Sequence, residues 1–297
     1  MTDDAVQVVA AGPGLLLQDL GRPGWAHLGV PPSGALDVDA LRLANRLVGN
    51  EPGAVGLEIL LGGLGLVASR SVRVAVTGAD ALIEVDGRAC PWGESVSIAA
   101  GCRLTVTAVS GGIRSWLAVD GGIVTGHDLG SGSTDTLTGL GPEPVRTGAT
   151  LPLGPRVPRG SPASAVPRPP LRELTSLRVR LGPRADWLTA ESLDALTART
   201  YVVAADSDRV GLRLEAADGR ALQRSRVDEF PSEGIVTGAV QVPSGGQPLI
   251  FLADHPVTGG YPVVAVVDRA DRWICAQLRP GDRIRLQTAS SASSSGD

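Results

Sequence analysis

AAGCRLTV, residues 99–106, runs from a turn into a strand and has a counterpart in RPGDRIRL, residues 279–286; the central glycines, Gly101 and Gly281, are 281 − 101 = 180 positions apart. Three further pairs lie at similar spacing. Ser33 and Ser207 each precede an Asp-containing turn (207 − 33 = 174), Glu58 and Glu233 each stand where a small-residue strand begins (233 − 58 = 175), and Asp80 and Asp254 each close an apolar strand (254 − 80 = 174). A near-constant offset at four places points to two copies of one β-rich domain. In a chain this rich in Gly and Val, chance agreement is the alternative.

The rest of the chain reads the same way, as short β-branched and apolar runs between turns. Strand candidates are Val6–Ala10, Gly56–Leu61, Val72–Thr77, Leu82–Val85, Ser95–Ala99, Arg103–Val109 and Ser115–Val119, then Leu177–Leu181, Tyr201–Ala204, Gly238–Val242, Leu249–Ala253, Val263–Val267 and Arg283–Leu286. Two helices are expected. Residues 38–48 follow Asp37 as N-cap, repeat Val38, Leu41, Ala44 and Val48 on one face, and stop at Gly49. The second spans Ala185–Ala198, with Leu188, Leu193 and Leu196. Residues 152–170 are Pro-rich and hold almost no large apolar side chain. We expect a first β domain over 1–155, a linker over 156–170, a second β domain over 171–289 and a disordered tail over 290–297.

Composition narrows the chemistry. Of 297 residues 43% are hydrophobic but only 3% aromatic, so the core must be aliphatic; the net charge of −4 argues against a nucleic-acid or anionic-membrane surface. All 27 basic residues are arginine. Without lysine there is no Walker P-loop, Schiff base, Ser–Lys hydrolase or biotinylated side chain on this chain. Any bound anion is held by Arg, backbone amides or a metal. Cys90, Cys102 and Cys275 form no C-x-x-C and read as reduced thiols of a cytoplasmic protein. MTDDAVQVVAAGPG shows no signal-peptide pattern, and the most apolar run, 54–68, is broken by four glycines and Glu58, so no membrane span is expected. His27, His127 and His255 fall in separate loops, so no metal site is expected.

Several segments carry polar groups on restricted backbone. QDLGRPGWAHLGVPPSGALD, residues 18–37, packs four Gly, three Pro and six polar or ionisable residues into twenty positions. It must be a shaped loop. GLGLVA, residues 63–68, matches G-x-G-x-x-A but leads into a strand rather than a helix, and reads as a tight β-turn. GSGSTD, residues 130–135, reads either as an amide nest for an anion or as a solvent-facing turn. DSDRVGLRLE, residues 206–215, reads on its own as a surface ion-pair cluster. Residues 229–262 combine Glu233, Gln241, Asp254 and Tyr261 with repeated Gly and Pro, which suits a small polar substrate or an ordinary set of turns.

Taken in order, QDLGRPGWAHLGVPPSGALD, LRLANRLVGN, RSWLAVDGGI, LGSGSTD, SDRVGLRLE, SEGIVTGAVQVP, GGYPVVAVVDRAD and QLRPGD resemble the allophanate hydrolase subunit 2 family over roughly residues 5–288. That family takes in the bacterial 5-oxoprolinase C subunits and the second half of the urea carboxylase carboxyltransferase domain. The resemblance implies a mainly β fold of two tandem cyclophilin-like β-barrel domains with a few short helices. It implies a subunit 1 partner, the 5-oxoprolinase B type, and, in the oxoprolinase system, an A-type partner of the LamB/YcsF kind. It implies ATP with Mg at the level of the complex and a small polar amide or lactam as substrate. The alternatives are a biotin-dependent urea or amide carboxylase, with biotin on a separate chain, and a non-catalytic protein that sequesters its partner.

On this reading residues 18–37 form one wall of a substrate cleft. Asp19 and Arg22 orient the loop, His27 or Ser33 reaches the substrate and Gly34 makes a tight turn. Ser131, Ser133, Thr134, Asp135, Arg209, Gln241 and Tyr261 are further substrate-binding candidates. Glu233, Asp254 and His27 are the catalytic candidates, with a carboxylate positioning the attacking water. Relatives usually read G-S-R-S-T-D where this chain has Gly132, which puts an anion clamp at that position in doubt.

Overall fold

The computed structural model describes residues 4–108, 111–156, 174–226 and 228–289. The chain divides into two compact units, Met1–Leu171 and Arg172–Asp297. The expected linker beyond Arg156 and the expected tail lie outside the described residues. Architecture is mainly β with three α-helices among the described residues, none of them long and apolar enough to cross a membrane.

The first unit runs β1 (Ala5–Ala11), β2 (Gly14–Gln18), α1 (Val38–Val48), β3 (Gly56–Leu60), β4 (Gly62–Ala68), β5 (Val72–Gly78), β6 (Ala81–Val85), β7 (Arg88–Cys90), β8 (Ser95–Ile98), β9 (Arg103–Ala108), β10 (Arg114–Val119) and β11 (Thr150–Pro152). One sheet has the order β11-β1-β4-β9-β6-β7 and the other β2-β3-β10-β5-β8. Alternate residues of both, among them Val6 and Val8, Leu57 and Ile59, Leu104 and Val106, Leu117 and Val119, enter one apolar cluster. That is the period of two expected when one face of each sheet is buried.

β10 is buried on both faces because α1 covers the second. Leu117 and Val119 point into the shared core, while Ala118 meets Ala44, Leu47 and Val48 of the helix and Trp116 meets Leu41. The helix begins and ends as its sequence requires: Asp37 accepts from the Ala40 N–H at 3.0 Å, and Gly49 takes φ +89°.

The second unit is a closed barrel of β12 (Leu174–Leu181), β13 (Thr200–Val203), β14 (Gly211–Ala216), β16 (Ala239–Gln241), β17 (Leu249–Phe251), β19 (Val263–Val267) and β20 (Arg283–Thr288), in the order β12-β19-β16-β17-β14-β13-β20. β15 (Glu233–Gly234) and β18 (Thr258–Gly259) form a separate ribbon, and α2 (Ala190–Ala198) and α3 (Arg272–Gln277) complete the unit. β12 and β20 pair in parallel; every other ladder of the barrel is antiparallel.

Three local expectations are corrected. The helix expected over 185–198 is divided: a single 3-10 turn covers Ala185–Trp187, Leu188 is extended, and α2 starts only after Thr189, whose Oγ1 accepts from the Ser192 N–H at 3.2 Å. The Thr cap outcompetes a continuous helix. GLGLVA is not a turn but the body of β4, paired with β1 and β9. Gly62 and Gly63, at φ +71° and +80°, absorb a register shift, after which Leu64, Leu66 and Ala68 face the core. DSDRVGLRLE contributes β14 to the barrel rather than a surface cluster alone.

Of the paired positions, Gly101 and Gly281 do share a local geometry. Both have positive φ (+81° and +91°) and both precede a strand by two residues. Glu58 and Glu233 differ: Glu58 is buried within β3, whereas Glu233 sits on the short ribbon.

Candidate functional site

In the first unit the QDLGRPG and GSGSTD segments are tied together by one carboxylate. Asp19 Oδ1 accepts from the Gly21 N–H at 2.7 Å, Ser131 Oγ at 2.6 Å and Ser133 Oγ at 2.5 Å, and Oδ2 accepts from the Gly132 N–H at 2.7 Å. Ser133 Oγ accepts in turn from the Asp19 N–H at 2.9 Å. Four donors on one buried carboxylate make it a clamp between two loops more than a hundred residues apart in sequence.

Arg22 lies behind this clamp, 1% exposed. Its Nε donates to the Asp128 carbonyl at 3.2 Å and its Nη2 to the Ser133 carbonyl at 2.5 Å. Its Nη1 stands 4.0 Å from Asp135 Oδ2, and neither atom has a hydrogen-bond partner. Gln18 Oε1, Ser33 Oγ and Thr134 Oγ1 are likewise buried and unpartnered. Five such atoms on adjoining segments are unusual, since buried polar groups are nearly always satisfied.

The backbone is shaped to hold them. Ser33 is in the left-handed region at φ +49°, and Gly34 at φ +86° passes so close to Gly21 that a Cβ would lie 2.6 Å from its backbone nitrogen. His27 is elsewhere: it is exposed on the 3-10 turn Ala26–Leu28, with Nδ1 3.2 Å from the Gly24 carbonyl and its ring stacked on Trp25.

In the second unit Asp254 is fully buried and gripped by Arg209 at two points, Nε to Oδ2 at 2.9 Å and Nη2 to Oδ1 at 3.1 Å. His255 follows, donating from Nδ1 to the Pro256 carbonyl at 2.8 Å, with its ring edge against Phe251. Burial, above all, holds its pKa below the ordinary histidine value; the nearby Arg272 acts in the same direction, opposed by the Pro256 hydrogen bond and the Asp254 charge. Gln241 Nε2 donates to the Tyr261 carbonyl at 2.8 Å, while the Tyr261 ring is exposed. Glu233 Oε2 accepts from Arg184 Nε at 3.1 Å, and Arg184 lies over the Phe230 ring. Of the two candidate bases, Asp254 is therefore engaged through both oxygens and Glu233 is the one that meets solvent.

Residues 28–288 match the carboxyltransferase domain, subdomain A and B, family. The chain belongs to this family. It is 36% identical to the 5-oxoprolinase C subunit of Escherichia coli, over 95% of this chain and 90% of that protein. It is 30% identical to urea amidolyase of Saccharomyces cerevisiae over 98% of this chain, but spans only 17% of that much longer protein. The solved structure of Kluyveromyces lactis urea carboxylase superposes with a TM-score of 0.87 at 30% identity, over 96% of this chain and 27% of that one.

Within this carboxyltransferase-family chain the sequence reading passes over several residues. Gln18 and Asp128 complete the clamp region; the first ends an apolar strand with a lone amide, and the second sits two residues before GSGSTD. The buried Glu58–Arg114 pair, 3.2 Å between β3 and β10, is signalled by a charge inside an apolar run. Arg184 has no local signal, because its partner Glu233 is 49 residues away. Among the described residues no three His, Cys, Asp or Glu side chains are grouped to hold a metal ion.

Proposed function

We propose that this chain is the C-type component of a heteromeric, ATP-dependent hydrolase that opens a small lactam, of the 5-oxoprolinase kind, working with a subunit 1 (B-type) partner and an A-type partner of the LamB/YcsF kind. Its end-to-end similarity to the Escherichia coli 5-oxoprolinase C subunit carries the reading. We read the two units as tandem cyclophilin-like domains, with boundaries at 1–155 and 171–289, in a cytoplasmic protein.

The unpartnered atoms of the first unit support it chemically. A lactam presents an N–H beside a C=O. Gln18 Oε1 and Asp135 Oδ2 are acceptors for the first; Arg22 Nη1 is a cationic donor for the second, and the Ser33 and Thr134 hydroxyls serve either. Negative charge grows on the carbonyl oxygen as the ring opens, and a guanidinium sheltered from water stabilises it more than in solvent. Taken by itself, the second unit offers Glu233 as a carboxylate that meets solvent, and so as a candidate general base for the hydrolysis. The lysine-free sequence has no Walker P-loop, and in this reading ATP with Mg acts at the level of the complex.

The test is co-expression with both partner proteins and measurement of ADP and glutamate from 5-oxoproline. Glutamate formed in step with ADP, and only with all three proteins present, is expected. A stable complex that yields neither product overturns the reading. The likeness to Kluyveromyces lactis urea carboxylase favours a second one, biotin-dependent carboxyl transfer to urea or an amide. In that case a biotinylated partner supports carboxylation of urea and 5-oxoproline is left intact.

A further inference from the structure

In the candidate site of the first unit, Arg22 Nη1 and Asp135 Oδ2 stand 4.0 Å apart on residues that are each 1% exposed, and neither atom makes a hydrogen bond. The rest of each group is fixed from behind. Arg22 Nε and Nη2 donate to the carbonyls of Asp128 and Ser133 at 3.2 and 2.5 Å. Asp135 Oδ1 accepts from the Leu137 and Thr138 N–H groups at 2.9 and 3.1 Å. One donor and one acceptor are thus held side by side, too far apart to bond each other.

Charge decides the kind of ligand. A carboxylate or phosphate approaching Arg22 would meet the like charge of Asp135, and an ammonium approaching Asp135 would meet that of Arg22. A neutral group with an acceptor beside a donor meets neither penalty.

Geometry decides which neutral group. Where an amide N–H and C=O lie on the same side of the C–N bond, the cis arrangement, good hydrogen bonds place their two partners roughly 3.5–4.5 Å apart. In a trans amide the two groups point to opposite sides, and the same partners would stand roughly 7 Å apart. The 4.0 Å spacing of Arg22 and Asp135 fits the first arrangement and not the second. A lactam ring locks its amide cis. Urea and primary amides always keep one N–H on the carbonyl side, whereas an open-chain secondary amide is trans.

We infer that Arg22 and Asp135 act as one specificity-determining pair that reads amide configuration: together they take the cis edge of a lactam, a urea or a primary amide and reject a trans secondary amide. This rests on the reading of these atoms as the substrate site and adds what the site selects. Gln18 Oε1 and the Ser33 and Thr134 hydroxyls, also buried and unpartnered, are left for the outer polar groups of the ligand.

Ligand-observed NMR titration of the full chain tests this with small neutral probes. 2-Pyrrolidinone and propionamide bind saturably. N-Methylacetamide must first turn cis, and binds roughly fiftyfold or more weakly than 2-pyrrolidinone. N-Methyl-2-pyrrolidinone is cis but has no N–H for Asp135, and loses about tenfold or more. Asp135→Asn keeps an oxygen for the Leu137 and Thr138 N–H groups and turns an NH2 towards Arg22, replacing the free acceptor by a donor. It weakens 2-pyrrolidinone about tenfold or more, with circular dichroism matching the parent. Should that variant not fold, the N-methylated lactam reads the same acceptor on the parent chain. The inference is overturned when no probe binds saturably, which a bridging water alone would produce, or when N-methylacetamide binds as well as 2-pyrrolidinone. Glutamate formation by the assembled complex reports separately on the hydrolase: cis-amide binding without glutamate removes the reaction and leaves the selection standing, and glutamate without any cis preference does the reverse.

Discussion

Arg209 and Asp254, 45 residues apart in sequence, face each other through two parallel hydrogen bonds with almost no exposure to solvent. Breaking such a pair strands a buried charge. Asp254→Asn is expected to destabilise the chain by about 3–5 kcal/mol in urea unfolding. Arg209→Lys also destabilises, since a lone ammonium cannot reproduce the fork. A change within ordinary surface scatter would show that the pair does not hold this corner of the barrel together.

Glu233 and Asp254 then separate by experiment. The Arg184–Glu233 pair is partly exposed and contributes about 0–1 kcal/mol, so Glu233→Gln leaves the unfolding midpoint nearly unchanged. In the assembled complex the same variant lowers kcat about a hundredfold or more if Glu233 orients the water. Unaltered turnover removes Glu233 from the chemistry.

Asp19→Ala leaves two hydroxyls and two N–H groups without their acceptor in a buried site. Each unsatisfied group costs about 1–3 kcal/mol. Hydrogen exchange at Gly21 and Gly132 should accelerate sharply, whereas Ser131→Ala, which leaves three donors on the carboxylate, should perturb them far less.

At Gly132 the space for a side chain is already filled. A Cβ there would lie 2.7 Å from Thr125 Cγ2 and 2.9 Å from Val55 Cγ2. Gly132→Ala is expected to cost about 1–3 kcal/mol by overpacking. Adding Thr125→Ser, which deletes the nearer methyl, should recover part of it in thermal unfolding. An Arg at this position requires those neighbours to change too.

Stability should also fall on mild acidification. The folded state holds His255 neutral, with its pKa below the ordinary value, so below about pH 6.5 the unfolded chain binds the extra proton and is favoured. The contribution is complete above that pH and is lost as pH drops through the folded value. Asp268 and Asp271, held below the ordinary carboxylate value by the Ala270 N–H and by Arg178, lose their contribution only in more acid solution. Melting temperatures between about pH 5 and 7 should therefore drop for the parent and stay flatter for His255→Gln.

Helix α1 could be read residue by residue: Asp37 caps it, one face is apolar, and Gly49 ends it, all within a dozen positions. The turn glycines at 101 and 281, the aliphatic alternation of the core strands and the lysine-free chemistry are equally local or compositional. The ordered motifs were enough to reach the family. What a strand pairs with was not written locally. β4 looked like a turn because its glycines suit one, and it became a strand through β1 and β9 on either side. Arg209 looked like a surface charge beside Asp206 and Asp208 until a loop 45 residues on delivered Asp254. The clamp on Asp19 and the unpartnered atoms around Arg22 likewise exist only where distant loops meet. Burial and hydrogen-bond partnership depend on what the rest of the chain brings alongside, and a residue's neighbours in sequence carry little of that information.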